Sequence, residues 1–168
     1  CGTEVVQKEV EQWFFRITNY AEKLLSDLEI IDWPERIKIA QRNWIGKSRG
    51  AEIKFSVTDS GHGASEPVTV FTTRPDTIFG ATFLVLAPEH PSLEGLLSKL
   101  RNPSQVRDYI NANRDRPSGE RMSNEKDVTG VELKGIKAIN PATKEKIPIF
   151  IARYVLSSYG TGAIMAVP

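Results

Sequence analysis

The sequence predicts an α+β domain with a barrel-like sheet, preceded by a short α-rich linker segment. Three observations lead to that class. Apolar residues recur at helical spacing within the first fifty positions; short strand-like runs follow one another from residue 51 onwards; and the helical stretches among those runs sit together between residues 93 and 112, as helices packed over one side of a sheet do.

Val10 to Ile17 is rich in aromatic and branched residues and reads as a short strand, with Thr18 or Asn19 available to cap the helix that follows. In Tyr20 to Leu28 apolar residues return at three- and four-residue spacing, an amphipathic helix of about two and a half turns. A second helix is expected to start near Pro34, whose fixed φ suits a first turn, with Asp32 as its cap, and to end before Gly46. Arg36, Lys38, Arg42, Lys47 and Arg49 give this region a basic face, read first as a solvated helix surface and second as a contact to an RNA backbone.

At Ala51 the pattern changes. Ala51, Ile53, Phe55 and Val57 alternate with Glu52, Lys54, Ser56 and Thr58, the period of a half-buried strand. Gly61 to Ser65 reads as a loop and Val68 to Thr72 as the returning strand, a hairpin with a long tip. Thr82 to Ala87 is a continuous apolar run, a buried strand closed by Pro88. Leu93 to Leu100 and Ser104 to Ala112 read as helices, and Asn113 to Glu125, polar and without apolar period, as a mobile surface loop. Ile136 to Asn140, Ile147 to Ala152 and Ala163 to Val167 complete the strands, the first two joined by a turn over Pro141 to Glu145.

Composition narrows the function classes. With 168 residues, 40% apolar and 26% charged, a packed core is expected and wholesale disorder is not. A formal charge of +1 argues against a grip on long duplex DNA, because such affinity comes from neutralising phosphates; any nucleic-acid contact should be local, such as one end of a strand. No run approaches the roughly 20 apolar residues that cross a bilayer, so the chain reads as cytoplasmic, with no membrane partner. The single cysteine, Cys1, cannot form an internal disulfide, and no metal site can be completed around it.

Several motifs look like chemistry and are not. Gly46-Lys47-Ser48 lacks the glycine that a phosphate-binding loop needs five positions before Gly46, where Gln41 stands. His62 and His90 are isolated from any partner that a general base or metal ligand requires. Two other runs carry more. Phe71-Thr72-Thr73-Arg74-Pro75-Asp76-Thr77-Ile78-Phe79-Gly80 and Tyr159-Gly160-Thr161-Gly162-Ala163-Ile164-Met165-Ala166-Val167-Pro168 set threonines and turn-forming glycines at the ends of apolar strands. Hydroxyls of that kind orient an ester and a water without supplying an obvious nucleophile.

Both runs closely resemble the editing pocket of leucyl-tRNA synthetases, and Asn43-Trp44-Ile45-Gly46-Lys47-Ser48-Arg49-Gly50-Ala51-Glu52 resembles that family's entry into its editing domain. The resemblance implies a piece of a leucine–tRNA ligase of bacterial type. Residues 1–49 would be a zinc-proximal linker of the catalytic domain, and residues 50–168 most of a barrel-like editing domain. The parent joins leucine to tRNA(Leu) with ATP and Mg2+, and with structural Zn2+ in members that carry a Cys-x-x-Cys knuckle ahead of a segment like Gln12-Trp13-Phe14; the editing part needs no cofactor. Its partners are the 3′ end of tRNA(Leu) and a mischarged amino-acid ester. Arg121-Met122-Ser123-Asn124 only faintly echoes the family's ATP-binding loop, lacking both lysines, and the family's His-x-Gly-His motif is missing.

By the same resemblance Thr72 and Thr73 position ester or water, and Thr77 excludes leucine. Met165 and Val167 become pocket walls, Tyr159 lies near the terminal adenosine, and Arg74 contacts the tRNA end. For Met165 and Val167, ordinary core on a buried strand face is an equal reading; for the threonines, β-propensity and capping are the plainer one until the surrounding ten-residue match is counted. Asp76 reads as a turn residue. Two departures stand out: the sequence stops at Pro168, before the His-Asp-x-Arg-Asp segment whose last aspartate anchors the substrate ammonium, so weak activity is expected of the 168 residues alone; and Arg153 stands where aspartate is expected in most relatives. The editing region of an isoleucyl- or valyl-tRNA synthetase is the near alternative, disfavoured because those carry Thr-Thr-x-Pro-Trp-Thr. A non-catalytic RNA-end-binding module is the alternative of a different class.

Overall fold

A computed structural model describes residues 10–59, 64–114, 129–157 and 159–168. The chain divides into two compact units between Arg49 and Gly50.

The first unit holds a 3-10 helix, Ile17–Tyr20, followed by α1 (Ala21–Asp27) and α2 (Glu35–Ile45). The strand expected over Val10 to Ile17 does not form. Trp13 and Phe15 there are 102% and 94% exposed, and strand propensity without a partner strand and a face to bury does not make a strand. Neither Thr18 nor Asn19 caps a helix, since both lie inside the 3-10 turn, and Pro34, not Asp32, occupies the cap position of α2, with no side-chain hydrogen bond. Helix α2 does end at Ile45, immediately before Gly46. Arg42 bridges Glu29 at 2.6 Å and Glu35 at 3.0 Å, and Lys47 binds Glu22 at 2.7 Å. Two of the five cations of the expected basic face are therefore matched by carboxylates.

Among its described residues the second unit is built on two four-stranded sheets that do not close on one another, which is the form the barrel-like expectation takes. In the first sheet β1 (Ala51–Asp59) pairs with β2 (Ala64–Thr72) on one side and β5 (Ile136–Ile139) on the other, and β5 pairs with β6 (Lys146–Ile147); every pairing is antiparallel. The alternation read from the sequence sets the faces: Phe55 and Val57 are fully buried while Glu52, Lys54 and Ser56 are exposed, with a bulge between Phe55 and Val57. The second sheet runs β4 (Gly130–Glu132), β7 (Ile149–Ala152), β3 (Phe83–Leu86) and β8 (Ala163–Ala166) in spatial order, with β3 and β7 parallel.

Ile147 to Ala152, read as one strand, is two strands in different sheets. Pro148 separates them: lacking an N–H it cannot donate to a ladder, and its carbonyl accepts the Leu84 N–H at 3.0 Å. Helices α3 (Ser92–Leu97) and α4 (Pro103–Arg114) add Leu93, Leu96 and Val106 to a core shared by both sheets. Fully burying each such side chain stabilises the fold by about 1.5–3 kcal/mol. Helix α4 runs past the expected Ala112, and residues 115–125 of the expected polar loop, like His62 and the hairpin tip, lie outside the described residues. The two sheets approach along β2 and β8, which places the end of the first strand beside the second.

Candidate functional site

Where β2 ends and β8 passes, a cleft of about 270 Å³ is lined by Phe71, Thr72, Thr73, Tyr159, Ile164 and Met165. Thr72 is the last residue of β2, paired with Ala51, and Thr73 follows the strand and is exposed. Met165 pairs with Leu84 and packs on the main core; Ile164 packs on a smaller cluster on the opposite face of the sheet, with Phe83, Phe150 and Ala152. Both neighbours reach the cleft because β8 is the last strand of its sheet, so the cleft runs along its open edge. Ile164 is not among the site residues that the resemblance implies, and period-two alternation, which gives a face only one of two adjacent residues, offers no signal for it beside Met165.

Two glycines shape one wall. A Cβ on Gly50 would collide with the Thr72 carbonyl oxygen and stand 2.6 Å from the Phe71 ring, and a Cβ on Gly160, at φ +57°, would stand 2.9 Å from the Phe71 Cβ. Phe71 is thus held between the entry into the unit and the loop carrying Tyr159, which is 61% exposed.

Past Thr73 the chain turns into a 3-10 helix, Pro75–Gly80, with proline in its first turn. Its start is tied tightly. The Arg74 N–H donates to Thr72 Oγ1 at 3.1 Å, and the Arg74 carbonyl accepts both the Thr77 N–H at 3.1 Å and the Thr77 hydroxyl at 2.9 Å. The Arg74 guanidinium donates to both oxygens of Asp76, at 3.1 and 2.9 Å, and holds its carboxyl below the usual carboxylate range. Asp76 is a turn partner of Arg74.

Thr72, Thr73, Tyr159 and Met165 come together at the cleft; Arg74, Thr77 and Val167 are not among the described residues that line it. Val167 is 41% exposed, with its Cγ1 3.0 Å from where a Gly80 Cβ would lie, so it borders the 3-10 helix. His90 is 8% exposed, its Nδ1 accepts the Ser92 N–H at 3.2 Å, and burial pushes the imidazole below its ordinary pKa. Among the described residues no three His, Cys, Asp or Glu side chains gather as a metal site would require, and no helix is long and apolar enough to cross a membrane.

The family described as leucyl-tRNA synthetase, editing domain, matches residues 42–168, which include every residue of the cleft. The chain belongs to that family. Its relatives include leucine–tRNA ligases of Alkaliphilus oremlandii, 50% identical over all of this chain, and of Roseiflexus castenholzii, 54% identical over 99% of it. The chain spans 20% and 19% of their lengths. Among solved structures, a ternary complex of Agrobacterium radiobacter K84 LeuRS with tRNA and LeuAMS matches with a TM-score of 0.72 and 38% identity, over 94% of this chain and 18% of that one. The leucyl-tRNA synthetase editing fold is therefore carried by the two open sheets, with the threonine end of β2 at the edge where they approach.

Proposed function

We propose that this chain is an editing region of a leucine–tRNA ligase that joins leucine to tRNA(Leu) with ATP, and that it hydrolyses the ester of a wrongly attached amino acid at the tRNA 3′ end. The observation that carries the reading is the cleft beside β8, walled by Phe71, Ile164 and Met165 and edged by two threonine hydroxyls, in a chain of the editing-domain family. At about 270 Å³ it lies just below the roughly 300–1,000 Å³ of ligand pockets, a size suited to an aminoacyl group with the tRNA outside.

An aminoacyl ester is already activated, so hydrolysis requires a placed water and a donor for the developing oxyanion. Thr72 Oγ1 accepts the Arg74 N–H, which fixes the oxygen and leaves its own O–H to donate to the ester. Thr73 brings a second, exposed hydroxyl beside it for water or ester. Tyr159 is available to stack on the terminal adenosine, and Arg74, with N–H groups beyond those bound to Asp76, to meet a phosphate of the tRNA end.

Leucine is spared by Thr77. Favourable contacts distinguish one methylene by only about 1–3 kcal/mol, so rejection has to come from a clash. Thr77 is stiff at χ1, and its hydroxyl is committed to the Arg74 carbonyl, so its methyl cannot swing aside. Since Thr77 does not line the cleft, the gate requires the amino-acid side chain to extend from the cleft toward the 3-10 helix, with Val167 on the far side. No step of this hydrolysis runs through the ATP, Mg2+ or Zn2+ of the parent ligase.

The test is Thr72→Ala in the full-length ligase, assayed with norvalyl-tRNA(Leu). Deacylation should fall about a hundredfold, as for loss of an oxyanion donor, with tRNA binding unchanged. Wild-type deacylation by this variant refutes the assignment, and binding without any deacylation by the wild-type enzyme supports an RNA-end-binding module instead.

A further inference from the structure

Asn140 is fully buried, and each of its four polar groups is engaged. Its backbone N–H donates to the Glu145 carbonyl at 2.9 Å and its carbonyl accepts the Lys144 N–H at 2.9 Å, closing the turn that joins β5 to β6. Its side-chain oxygen accepts the Ala142 N–H at 2.9 Å and the Thr143 N–H at 3.4 Å. The remaining group, Nδ2, leaves the turn altogether and donates at 2.8 Å to the carbonyl of Ile78, sixty-two positions earlier. Ile78 follows Thr77 in the 3-10 helix, and the same carbonyl accepts the Ala81 N–H at 3.1 Å.

A six-residue 3-10 helix has little stability of its own, because its hydrogen bonds are poorly aligned and few. This one has three anchors: the Arg74 carbonyl at its start, the Ile78 side chain packed on the core, and the Asn140 amide. Among the described residues, the last is the hydrogen bond that ties the helix backbone beyond Thr77 to a distant segment of the chain. The Asn140 amide is itself rigid, since its oxygen is locked into the turn by two backbone donors, so its direction is imposed by the turn between β5 and β6.

From this we infer that Asn140 is a positioning residue for leucine rejection: its Nδ2 bond to the Ile78 carbonyl holds the backbone of Thr77 at the depth where the threonine methyl meets leucine. The inference rests on the reading of Thr77 as the steric gate. It adds a specificity determinant in the turn that follows β5, a strand with no residue among those lining the cleft. Loss of the bond lets the middle of the 3-10 helix retreat, and the cognate leucyl ester enters.

Asn140→Asp isolates the bond. A carboxylate keeps both acceptor contacts to Ala142 and Thr143, preserving the turn, but cannot donate to Ile78 and sets a negative charge against its carbonyl. In the full-length ligase, Asn140→Asp should raise hydrolysis of leucyl-tRNA(Leu) about tenfold, equivalent to about 1.4 kcal/mol in barrier, while norvalyl-tRNA(Leu) hydrolysis changes less than twofold. Amide exchange at Ala81 should quicken while that at Lys144 stays slow, a pattern that general loss of folding does not give. Thr77→Ala is assayed alongside. If Thr77→Ala admits leucine and Asn140→Asp does not, the positioning role is overturned and the gate stands; if neither admits leucine, the gate is overturned and the positioning role with it. Loss of norvalyl-tRNA(Leu) hydrolysis in Asn140→Asp with leucine still spared and fast exchange at Lys144 also overturns it, because the residue then serves the turn and not the gate.

Discussion

The Cβ that Gly160 lacks would stand 2.9 Å from the Cβ of Phe71. That close approach seats the loop carrying Tyr159 against the strand carrying Thr72, so the two sides of the cleft are fitted to each other through one missing methyl group.

Gly160→Ala should therefore act twice over, by collision with Phe71 and by strain at φ +57°. We predict destabilisation of about 1–3 kcal/mol and weaker editing through displacement of Tyr159. Chemical denaturation and norvalyl-tRNA deacylation measure the two effects; a variant unchanged in both contradicts the packing described for this wall.

The Arg74–Asp76 pair is exposed, so its effect on global stability should be small and its effect on the turn local. Asp76 has a folded pKa below its unfolded value near 4, so its contribution is complete above about pH 4 and is lost as pH falls through the lower folded value. Asp76→Asn should leave the thermal midpoint at pH 7 nearly unchanged, as thermal denaturation at that pH checks. A large drop in midpoint would mean the pair supports the core.

His90 responds to pH in the same direction for a different reason. Burial lowers its folded pKa below the unfolded value of about 6.5, so stability is complete above that pH and declines as pH falls through the folded value. Protonation also removes the Nδ1 acceptor from the Ser92 N–H. Thermal midpoints of the wild type should fall between about pH 7 and pH 5, and His90→Gln should flatten that decline. An equal slope in the variant would assign the effect to another group.

Core truncation gives the scale for these changes. Leu84 is fully buried in β3 between β7 and β8, and Leu84→Ala should cost about 2–5 kcal/mol by denaturant unfolding. A cost under 1 kcal/mol would contradict the close packing of the second sheet.

Much of the α+β fold was legible from residue pattern, and the exceptions have physical causes. The alternation from Ala51 to Thr58 produced β1 with its inward and outward faces as read. Ile147 to Ala152 misled because an apolar run records burial but not which sheet buries it, and Pro148 sends its two parts to different sheets. Val10 to Ile17 has strand composition and, among the described residues, no strand pairs with it. The 3-10 helix at Pro75 to Gly80 was hidden because six residues are too few to display a period. At the site, the threonine pair was visible as a motif. Asn140 was not: it reads as the end of the strand Ile136 to Asn140, whereas β5 stops at Ile139, and its bond to Ile78 exists only once two distant segments are folded together.

The most direct test of the central claim is the hydrolysis of leucyl-tRNA(Leu) and norvalyl-tRNA(Leu) by the full-length ligase and its Thr77→Ala variant. The gate predicts that the wild type clears norvalyl ester and spares leucyl ester, and that the variant hydrolyses both. Continued sparing of leucine by Thr77→Ala, with norvaline still cleared, would show that rejection is made elsewhere.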